Sequence, residues 1–296
     1  MSKIIGAIAG DIIGSVYEWN NVKQLTDIEF FANKCRFTDD TVLTCANARW
    51  IMDTMADTSD SEDRFNHEGL AKHLKNFGRT YPYAGYGGMF RKWLASESDE
   101  PFNSFGNGAG MRVSPVGFFC STVESAKQWA KASAEVTHNH PEGIKGAQAI
   151  ACAIVMASNG STKGVIKKYI EDEFGYDLNR KITDLADFQN ENDIASNIVR
   201  KHKFDATCQV TVPEAIIAFL ESTDYEDAIE KALLIGGDSD TIACMTGSIA
   251  GAYYGVPEWI EKAAMSYLND ELSKIVVDFD HFINENRYLG EETENE

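Results

Sequence analysis

The sequence has few prolines, no closely spaced pair of cysteines and no long apolar run. Only six prolines among 296 residues exclude a proline-rich or collagen-like chain. The six cysteines are scattered singly, which excludes a zinc ribbon or a dithiol redox motif and predicts reduced thiols in the core. A membrane-spanning helix needs roughly 18 consecutive apolar residues, and Asp11 interrupts the apolar N-terminal segment too early for a secretory signal. We therefore expect a cytoplasmic protein that does not engage a membrane.

Positive charge is also scarce. The chain has 27 Lys and Arg residues against 46 Asp and Glu, which gives a net charge of −19 at pH 7. Such a surface repels a phosphate backbone, so duplex nucleic acid is not an expected partner. A small anionic ligand remains compatible with this charge if its site supplies positive charge locally.

The apolar residues recur mainly with the helical period, and the strict alternation of a half-buried strand is rare. The pattern predicts an all-α fold with one domain over residues 1–286 and an acidic tail over 287–296, and we expect a monomer. Helices are predicted over residues 38–55, 124–134, 146–157, 213–220, 225–234, 241–254 and 257–268. The polar interval 158–204 predicts an exposed helical hairpin or a lid.

Glycine recurs at every fourth position in two of these apolar segments. The positions are Gly6, Gly10 and Gly14 in one segment and Gly247, Gly251 and Gly255 in the other. A glycine inside a helix costs about 1 kcal/mol relative to alanine, so three in register need a compensating contact. Because the spacing places them on one face, we expect another backbone to approach each helix closely at the centre of the protein.

Two acidic clusters lie at predicted helix starts. One is Thr38-Asp39-Asp40-Thr41, and the other is Asp238-Ser239-Asp240-Thr241. Thr and Asp cap helix N-termini, but a cap needs only one such residue. Four carboxylates brought together would raise each other's pKa unless cations neutralise them, and oxygen ligands favour Mg²⁺, Mn²⁺ or Ca²⁺ over zinc. Helix capping and a site for two divalent cations both remain open.

A glycine-rich segment leads to a single cation. It consists of Ser104, Phe105, Gly106, Asn107, Gly108, Ala109, Gly110, Met111 and Arg112. A flexible loop of this kind allows backbone amides to point together at an anion, and Phe105 is suited to stack on a base. Met111 stands where a dinucleotide fingerprint has its third glycine, and the Gly-Lys-Ser/Thr of a P-loop is missing. The segment predicts either an anion-binding loop or an ordinary turn.

Two further polar residues are candidates for the site. His138 lies in a Thr-His-Asn-His sequence, and we expect it to contact a ligand rather than a metal, because a neutral imidazole more often serves as a hydrogen-bond partner. Glu18 follows the first glycine-rich segment. Residue chemistry alone does not distinguish Glu18 from a surface or capping acid.

Taken in chain order, five motifs resemble those of the ADP-ribosylglycohydrolase family over residues 4–268. They are Gly10-Asp11 with Glu18, Thr38 to Thr41, Gly106 to Arg112, Thr137-His138, and Gly236 to Thr241. The resemblance implies a compact, orthogonal multi-helix bundle with a central binuclear site for two Mg²⁺, with Mn²⁺ as the alternative. It implies as metal ligands Thr38, Asp39, Asp40, Asp238, Asp240 and Thr241.

The resemblance also implies the remaining roles. The segment from Ser104 to Arg112 would hold a diphosphate and the adjacent ribose, with Phe105 near the adenine or its ribose, and His138 would touch the phosphate region. Glu18 would act as a catalytic carboxylate, together with Asp39 or Asp240. The implied reaction is hydrolysis of the N- or O-glycosidic bond between the distal ribose of ADP-ribose and an acceptor such as a protein Arg or Ser.

Two other functions stay open from the sequence. One is hydrolysis of a free ADP-ribose derivative or of an ADP-ribosylated nucleic acid end. The other is a non-catalytic ADP-ribose binder or a structural relative. The presence of all four aspartates and of Glu18 favours an enzyme, because a structural protein has no need to hold repelling carboxylates together.

Overall fold

The computed structural model describes residues 2–22, 24–57, 63–185 and 204–286, and every regular element within these ranges is a helix. The all-α prediction is confirmed. The helices are α1 (Ile5–Gly14), α2 (Asp39–Ala56), α3 (His67–Thr80), α4 (Gly88–Ala95), α5 (Gly108–Met111), α6 (Ser114–Phe119), α7 (Val123–Glu135), α8 (Pro141–Ser158), α9 (Lys163–Phe174), α10 (Ile182–Leu185), α11 (Cys208–Glu221), α12 (Tyr225–Ile235), α13 (Ser239–Tyr254), α14 (Glu258–Tyr267) and α15 (Asp270–Asn286). The predicted acidic tail 287–296 lies outside the described residues.

Local sequence signals explain where several of these helices begin. Side chains of Thr38, Thr122 and Thr162 accept hydrogen bonds from first-turn amides of α2, α7 and α9. Pro141 occupies the first position of α8, where its missing N–H costs nothing. In the polar interval, α9 buries one apolar face against α8, so this part is not a freely exposed hairpin. The rest of the predicted hairpin or lid, residues 186–203, lies outside the described residues.

The centre of the bundle is the contact between α1 and α13. Every residue of α1 is buried. A Cβ added to Gly10 would lie 2.1 Å from the carbonyl oxygen of Ala243, and one added to Gly247 would lie 2.3 Å from the carbonyl oxygen of Gly6. The predicted close approach of backbones is therefore confirmed, and the two glycine series face each other. Gly255 is an exception, because it lies just beyond the end of α13 at a φ of 80°, where glycine is favoured.

The same contact sets the position of three chain segments. A Cβ on Gly14, the last residue of α1, would lie 2.6 Å from Cα of Asp240 in the first turn of α13. The end of α1 therefore meets the start of α13, and α2 begins beside both because Asp11 of α1 bonds to the Thr38 amide at 2.9 Å. Two helix N-termini and the segment after α1 thus converge at one place.

Other features agree with the composition. All six cysteines are buried and none forms a disulfide, so their predicted position in the core is confirmed. Among the described helices, none is both long enough and apolar enough to cross a membrane.

The α1–α13 contact predicts a large effect of one methyl group. Replacing Gly10 by Ala places Cβ against the Ala243 carbonyl. Because both partners belong to helix backbones, the clash can be relieved only by separating the two helices. Because overpacking a core usually costs 1–3 kcal/mol and sometimes more, we expect Gly10→Ala to lower the free energy of unfolding by at least about 3 kcal/mol. Urea titration followed by circular dichroism measures it.

A matched glycine serves as the control. In α9, a Cβ on Gly164 meets nothing within 4 Å, so Gly164→Ala should change stability by no more than about 1 kcal/mol and in the stabilising direction. Equal stability of the two variants would contradict the tight contact.

Candidate functional site

Asp11 is the innermost acid of the site, and the sequence analysis did not include it among the site residues. Its buried carboxylate accepts hydrogen bonds from the amide and hydroxyl of Thr38, at 2.9 and 2.6 Å, and from the amide of Thr41 at 3.1 Å. Burial raises the pKa of Asp11, and these bonds from Thr38 and Thr41 oppose the rise. Asp11 therefore fixes the first turn of α2 against α1.

Asp40, on the first turn of α2, has an unsatisfied oxygen. Its Oδ2 accepts from the hydroxyl of Thr241 at 3.2 Å, whereas its buried Oδ1 has no hydrogen-bond partner among the described residues. Burial, and then the charges of Asp11 and Asp39, raise the pKa of Asp40 well above its usual range. A buried carboxylate oxygen left unpaired is costly, so Asp40 is prepared for a partner that the protein chain does not supply.

The first turn of α13 supplies two more acids. Asp238 accepts a hydrogen bond from the side-chain amide of Asn107 at 2.7 Å. Asp240 is buried, and its pKa is raised well above the usual range by burial first and then by the charges of Asp238 and Asp40. The two acidic clusters of the sequence are thus neighbours in space.

The carboxylates form two groups that share one member. Asp11, Asp40 and Asp240 each place an oxygen within 4.8 Å of the others, and so do Glu18, Asp238 and Asp240. Hard oxygen donors in this arrangement suit Mg²⁺ or Mn²⁺, and the unpartnered oxygen of Asp40 fits the same interpretation. These residues could therefore hold two divalent cations, with Asp240 between them.

Asp39 and the two threonines of the expected ligand set lie outside the two carboxylate groups, which include acidic residues only. Asp39 belongs to neither carboxylate group; its pKa is raised to about 8 by burial and then by the charges of Asp11 and Asp238. The hydroxyls of Thr38 and Thr241 lie within hydrogen-bond distance of Asp40, at 3.2 Å each. Both threonines therefore contact Asp40 of the acidic cluster, whereas Asp39 belongs to neither of its two carboxylate groups.

Glu18 lies at the half-buried rim of the cluster, in the segment after α1. Its pKa is raised to about 7, first by burial and then by the charge of Asp238. A hydrogen bond from the side chain of Trp19 and the charge of Arg36 oppose this rise. Glu18 is thus the acid of the two groups with the most access to a bound ligand.

The glycine-rich segment is more ordered than expected. Gly108–Met111 forms the short helix α5, with Ala109, Gly110 and Met111 buried, so the flexible-loop prediction is wrong for this half. In the other half, the amide of Gly106 donates a hydrogen bond to the hydroxyl oxygen of Ser104 at 3.1 Å. The ring of Phe105 is 47% exposed, and its centroid lies 5.4 Å from that of the His140 ring in an edge-to-face contact.

Arg112 does not supply the loop with an exposed positive charge. It is fully buried and donates to the carbonyl oxygen of Ser133 at 2.7 Å and to the hydroxyl of Thr137 at 2.9 Å. Burial lowers its pKa to about 9. Burial places the guanidinium beneath the loop, whereas the expected contact with a diphosphate needs it at the surface of the loop. Its Nε and Nη1 have no hydrogen-bond partner among the described residues.

His138 lies beside the loop and outside both carboxylate groups. Its Nδ1 is 2.7 Å from the hydroxyl of Thr137, and a Cβ on Gly108 would lie 2.9 Å from its Nε2. Burial, and then the charge of Arg112, lower the pKa of His138 well below its usual range. His138 is thus a buried imidazole that faces the loop glycine, and its contact with a ligand stays a prediction.

The sequence profile described as ADP-ribosylglycohydrolase matches residues 2–288. The chain belongs to the ADP-ribosylglycohydrolase family. Membership makes it a glycosidase-type hydrolase and confirms the resemblance of its motifs. The acidic cluster and the glycine-rich segment lie within the matched region.

Relatives of this family member cover most of the chain. The ADP-ribosylhydrolase ARH3 of Homo sapiens is 27% identical, over 89% of this chain and 88% of the relative. The ADP-ribosylarginine hydrolase Tri1 of Pseudomonas putida (strain GB-1) is 24% identical, over 93% of this chain and 76% of the relative. A solved structure titled ADP-ribosylglycohydrolase-related protein complex superposes with a TM-score of 0.64 at 19% identity, over 95% of this chain and 96% of that one, which shows a shared fold.

The crowding of carboxylates predicts an unusual dependence of stability on pH. Because the pKa values of Asp40 and Asp240 are raised in the folded form, that form binds more protons than the unfolded chain near neutral pH. In the presence of a chelator, the free energy of unfolding should therefore fall as pH rises from about 5 to 8. Each unit by which folding raises one of these pKa values corresponds to about 1.4 kcal/mol of this fall. Urea titrations at several pH values measure this slope.

Two asparagine variants identify the source of the slope. Asp240→Asn removes one of the repelling charges and should flatten it. Asp172→Asn, at an exposed i, i+4 ion pair with Lys168, should leave it unchanged. A slope in Asp240→Asn as steep as in the unmodified chain would contradict the assignment.

Proposed function

We propose that this chain hydrolyses the N- or O-glycosidic bond between the distal ribose of ADP-ribose and a modified acceptor, such as an arginine or serine side chain of a protein. In this proposal the reaction depends on two Mg²⁺ or Mn²⁺. The observation that carries it is the pair of carboxylate groups sharing Asp240, with the unpartnered oxygen of Asp40 among them. The names of the relatives support an ADP-ribosyl linkage as the one that is cleaved.

The ligands in the proposed site are Asp11, Asp40 and Asp240 on one side and Glu18 or Asp238 with Asp240 on the other. Bound there, divalent cations would supply Lewis-acid charge and neutralise the repulsion among the carboxylates. The hydroxyls of Thr38 and Thr241 lie close enough to orient the Asp40 carboxylate.

The diphosphate is assigned to the loop that starts at Ser104. The side-chain amide of Asn107 joins this loop to Asp238, so a ligand that lies along the loop has its distal ribose directed toward the acids. His138, held neutral beside Gly108, is positioned to bond a phosphate or ribose oxygen without adding charge. The exposed ring of Phe105 is assigned to the adenosine end.

Bond cleavage at the anomeric carbon passes through an oxocarbenium-like transition state and needs proton transfer. In the proposal, Glu18 accepts the proton of the attacking water; its closeness to Asp238 and Asp240 and its partial exposure support this role. Asp39, outside both groups, remains available to protonate the leaving atom. General acid and base assistance of this kind contributes roughly 10²–10⁴-fold.

The first test is turnover of defined substrates. Metal-free protein is incubated with peptides ADP-ribosylated on Arg, Ser or Glu, with Mg²⁺, with Mn²⁺ or with EDTA, and released ADP-ribose is measured by chromatography. We expect release from at least one peptide and only with a divalent cation. Asp240→Asn should lower turnover at least 100-fold because both carboxylate groups lose their shared member, whereas Asp172→Asn should keep full activity.

Other outcomes identify the alternatives. Turnover of a free O-acyl-ADP-ribose without release from any peptide would replace the protein substrate with a small conjugate. Tight ADP-ribose binding without turnover of any substrate would indicate a binder. Equal turnover in EDTA would contradict the dependence on a cation.

The second test concerns Glu18. Glu18→Gln keeps the size of the side chain and its capacity to form hydrogen bonds but removes the base. Turnover should therefore fall at least tenfold, while the Kd of ADP-ribose should change less than about threefold. Calorimetry measures the Kd. Unchanged turnover would transfer the role of the base to another carboxylate, such as Asp39.

A further inference from the structure

A buried series of hydrogen bonds ends at His138, beside the glycine-rich segment. Arg112 donates from Nη2 to the hydroxyl oxygen of Thr137 at 2.9 Å, and the same hydroxyl lies 2.7 Å from Nδ1 of His138. Arg112 and Thr137 are fully buried, and His138 is 6% exposed. Because buried polar groups find their partners inside the protein, each donor in this series needs its own acceptor.

Arg112 determines which atoms of the series donate and which accept. A guanidinium only donates, and burial lowers the pKa of Arg112 to about 9, so it keeps its charge at neutral pH. The hydroxyl oxygen of Thr137 is thus the acceptor, and its own proton needs a further acceptor. Among the described residues, the one other group bonded to this hydroxyl is Nδ1 of His138. Nδ1 therefore accepts, and the proton of the neutral imidazole lies on Nε2.

The opposite tautomer of His138 would leave a buried donor without a partner. With the proton on Nδ1, the hydroxyl oxygen of Thr137 would accept twice, and its O–H would have no acceptor among the described residues. A buried donor left unsatisfied is unfavourable. The charge of Arg112 also disfavours a second proton on the ring and, after burial, lowers the pKa of His138. Both effects favour a neutral ring that carries its proton on Nε2.

Further contacts hold Arg112 and the imidazole in place. The carbonyl oxygen of Arg112 accepts from the side-chain amide of Asn47 at 2.7 Å, and Nη2 also donates to the carbonyl oxygen of Ser133 at 2.7 Å. The hydroxyl of Ser133 donates to Asn47 at 3.1 Å, so α2 and α7 are joined around Arg112. The ring of Phe102 contacts the imidazole edge to face, with centroids 5.6 Å apart. The ring and its donor are therefore both fixed by packing.

Nε2 of His138 faces the glycine-rich segment. A Cβ added to Gly108 would lie 2.9 Å from Nε2, and one added to Gly106 would lie 3.9 Å from it. No described residue forms a hydrogen bond with Nε2. The Nε2–H is thus a donor without a protein acceptor in this part of the chain, and it adjoins the loop to which the diphosphate is assigned.

We propose that Thr137, supported by Arg112, is a positioning residue that fixes His138 as the Nε2–H tautomer, so that His138 donates a hydrogen bond to a phosphate or ribose oxygen of the ligand. This inference rests on the proposed function, because the ligand is the one assigned there to the glycine-rich segment. It also gives a reason for the burial of Arg112, whose Nε and Nη1 have no partner among the described residues. A buried cation of this kind is unfavourable for stability unless it serves another purpose.

The first experiment determines the tautomer without ligand or turnover. The protein is labelled with ¹⁵N-histidine, and the ring signals of His138 are assigned among those of six histidines by their loss in His138→Gln. Long-range ¹H–¹⁵N spectra distinguish a protonated ring nitrogen from an unprotonated one. In the unmodified chain at pH 7, we expect Nε2 to be protonated and Nδ1 to be unprotonated. A proton on Nδ1, or an equal mixture of the two tautomers, would overturn the inference.

Substitutions at Thr137 test what fixes the tautomer. Thr137→Val keeps the size of the side chain but removes the hydroxyl, so the ring should become a mixture of tautomers, whereas Thr137→Ser should keep the proton on Nε2. Thr246→Val is the matched control, because it removes another buried hydroxyl, which donates to the Ala215 carbonyl at 3.0 Å, and it should leave the His138 signals unchanged. An unchanged tautomer in Thr137→Val would overturn the inference. If Thr137→Val does not fold, the unmodified chain and Thr137→Ser decide.

Arg112→Met tests the support of Thr137. Without the guanidinium, the hydroxyl oxygen is free to accept from a protonated Nδ1, so the ring signals should move in the same direction as in Thr137→Val. Addition of Arg112→Met to Thr137→Val should change them no further, because the two residues act through one bond. A further change in the double variant, or none in Arg112→Met alone, would overturn the role of Arg112.

Binding of ADP-ribose in the presence of Mg²⁺ tests whether the Nε2–H reaches the ligand. His138→Gln retains an N–H donor near the position of Nε2 and should raise the Kd less than about threefold, whereas His138→Met has no donor and should raise it about 10- to 100-fold. In Thr137→Val, the Kd should rise by the reciprocal of the fraction of His138 that keeps its proton on Nε2. Calorimetry measures these values.

The binding outcomes separate this inference from the proposed function. A Kd that His138→Met leaves unchanged, or one that Thr137→Val leaves unchanged despite mixed tautomers, would overturn the donation to the ligand. Absence of ADP-ribose binding by the unmodified chain would contradict the proposed function instead, because the tautomer is measured without ligand.

Discussion

The contact between the backbones of α1 and α13 determines where the acidic side chains lie. A side chain with a Cβ at Gly10 or Gly14 would separate the two helices and move the first turn of α13 away from Asp11. With glycine there, the end of α1 and the start of α13 meet, and Asp240 is placed against the group formed by Asp11 and Asp40. The weak helix propensity of glycine is thus offset by a contact that forms the site.

Helix N-termini make this concentration of charge tolerable. Amides of the first turns of α2 and α13 donate to Asp11 and Asp240, and the positive ends of both helices point at the acids. These bonds are fewer than the carboxylate oxygens, as the unpartnered oxygen of Asp40 shows. The raised pKa values of the buried acids are the consequence, and stability remains sensitive to anything that adds or removes charge in the cluster.

Periodicity and small-residue spacing are local signals, and they predicted the helical class and the glycine contact. The meeting of the two acidic clusters was implied by the family resemblance, because residue chemistry alone left helix capping open. It did not place Asp11 in the site, since that residue lies inside an apolar helix and its partners, Thr38 and Thr41, are distant in the chain. Arg112 was misassigned for a similar reason: its acceptors, such as the Ser133 carbonyl, belong to a helix whose packing no local pattern reveals. The stacking of Trp19 on Phe204 joins two distant segments of the chain and had no sequence signal.

The burial of Arg112 changes how an anionic ligand can be accepted by a chain of net charge −19. Arg112 is the single cation of the glycine-rich segment, and it is buried, with only its Nη2 bonded to Ser133 and Thr137. His138 is held neutral. In the proposed function, the loop therefore holds a diphosphate without an exposed cation of its own, while the acids next to it repel one. In the proposed function, neutralisation of those acids precedes both binding and turnover, so a single electrostatic requirement governs the two steps.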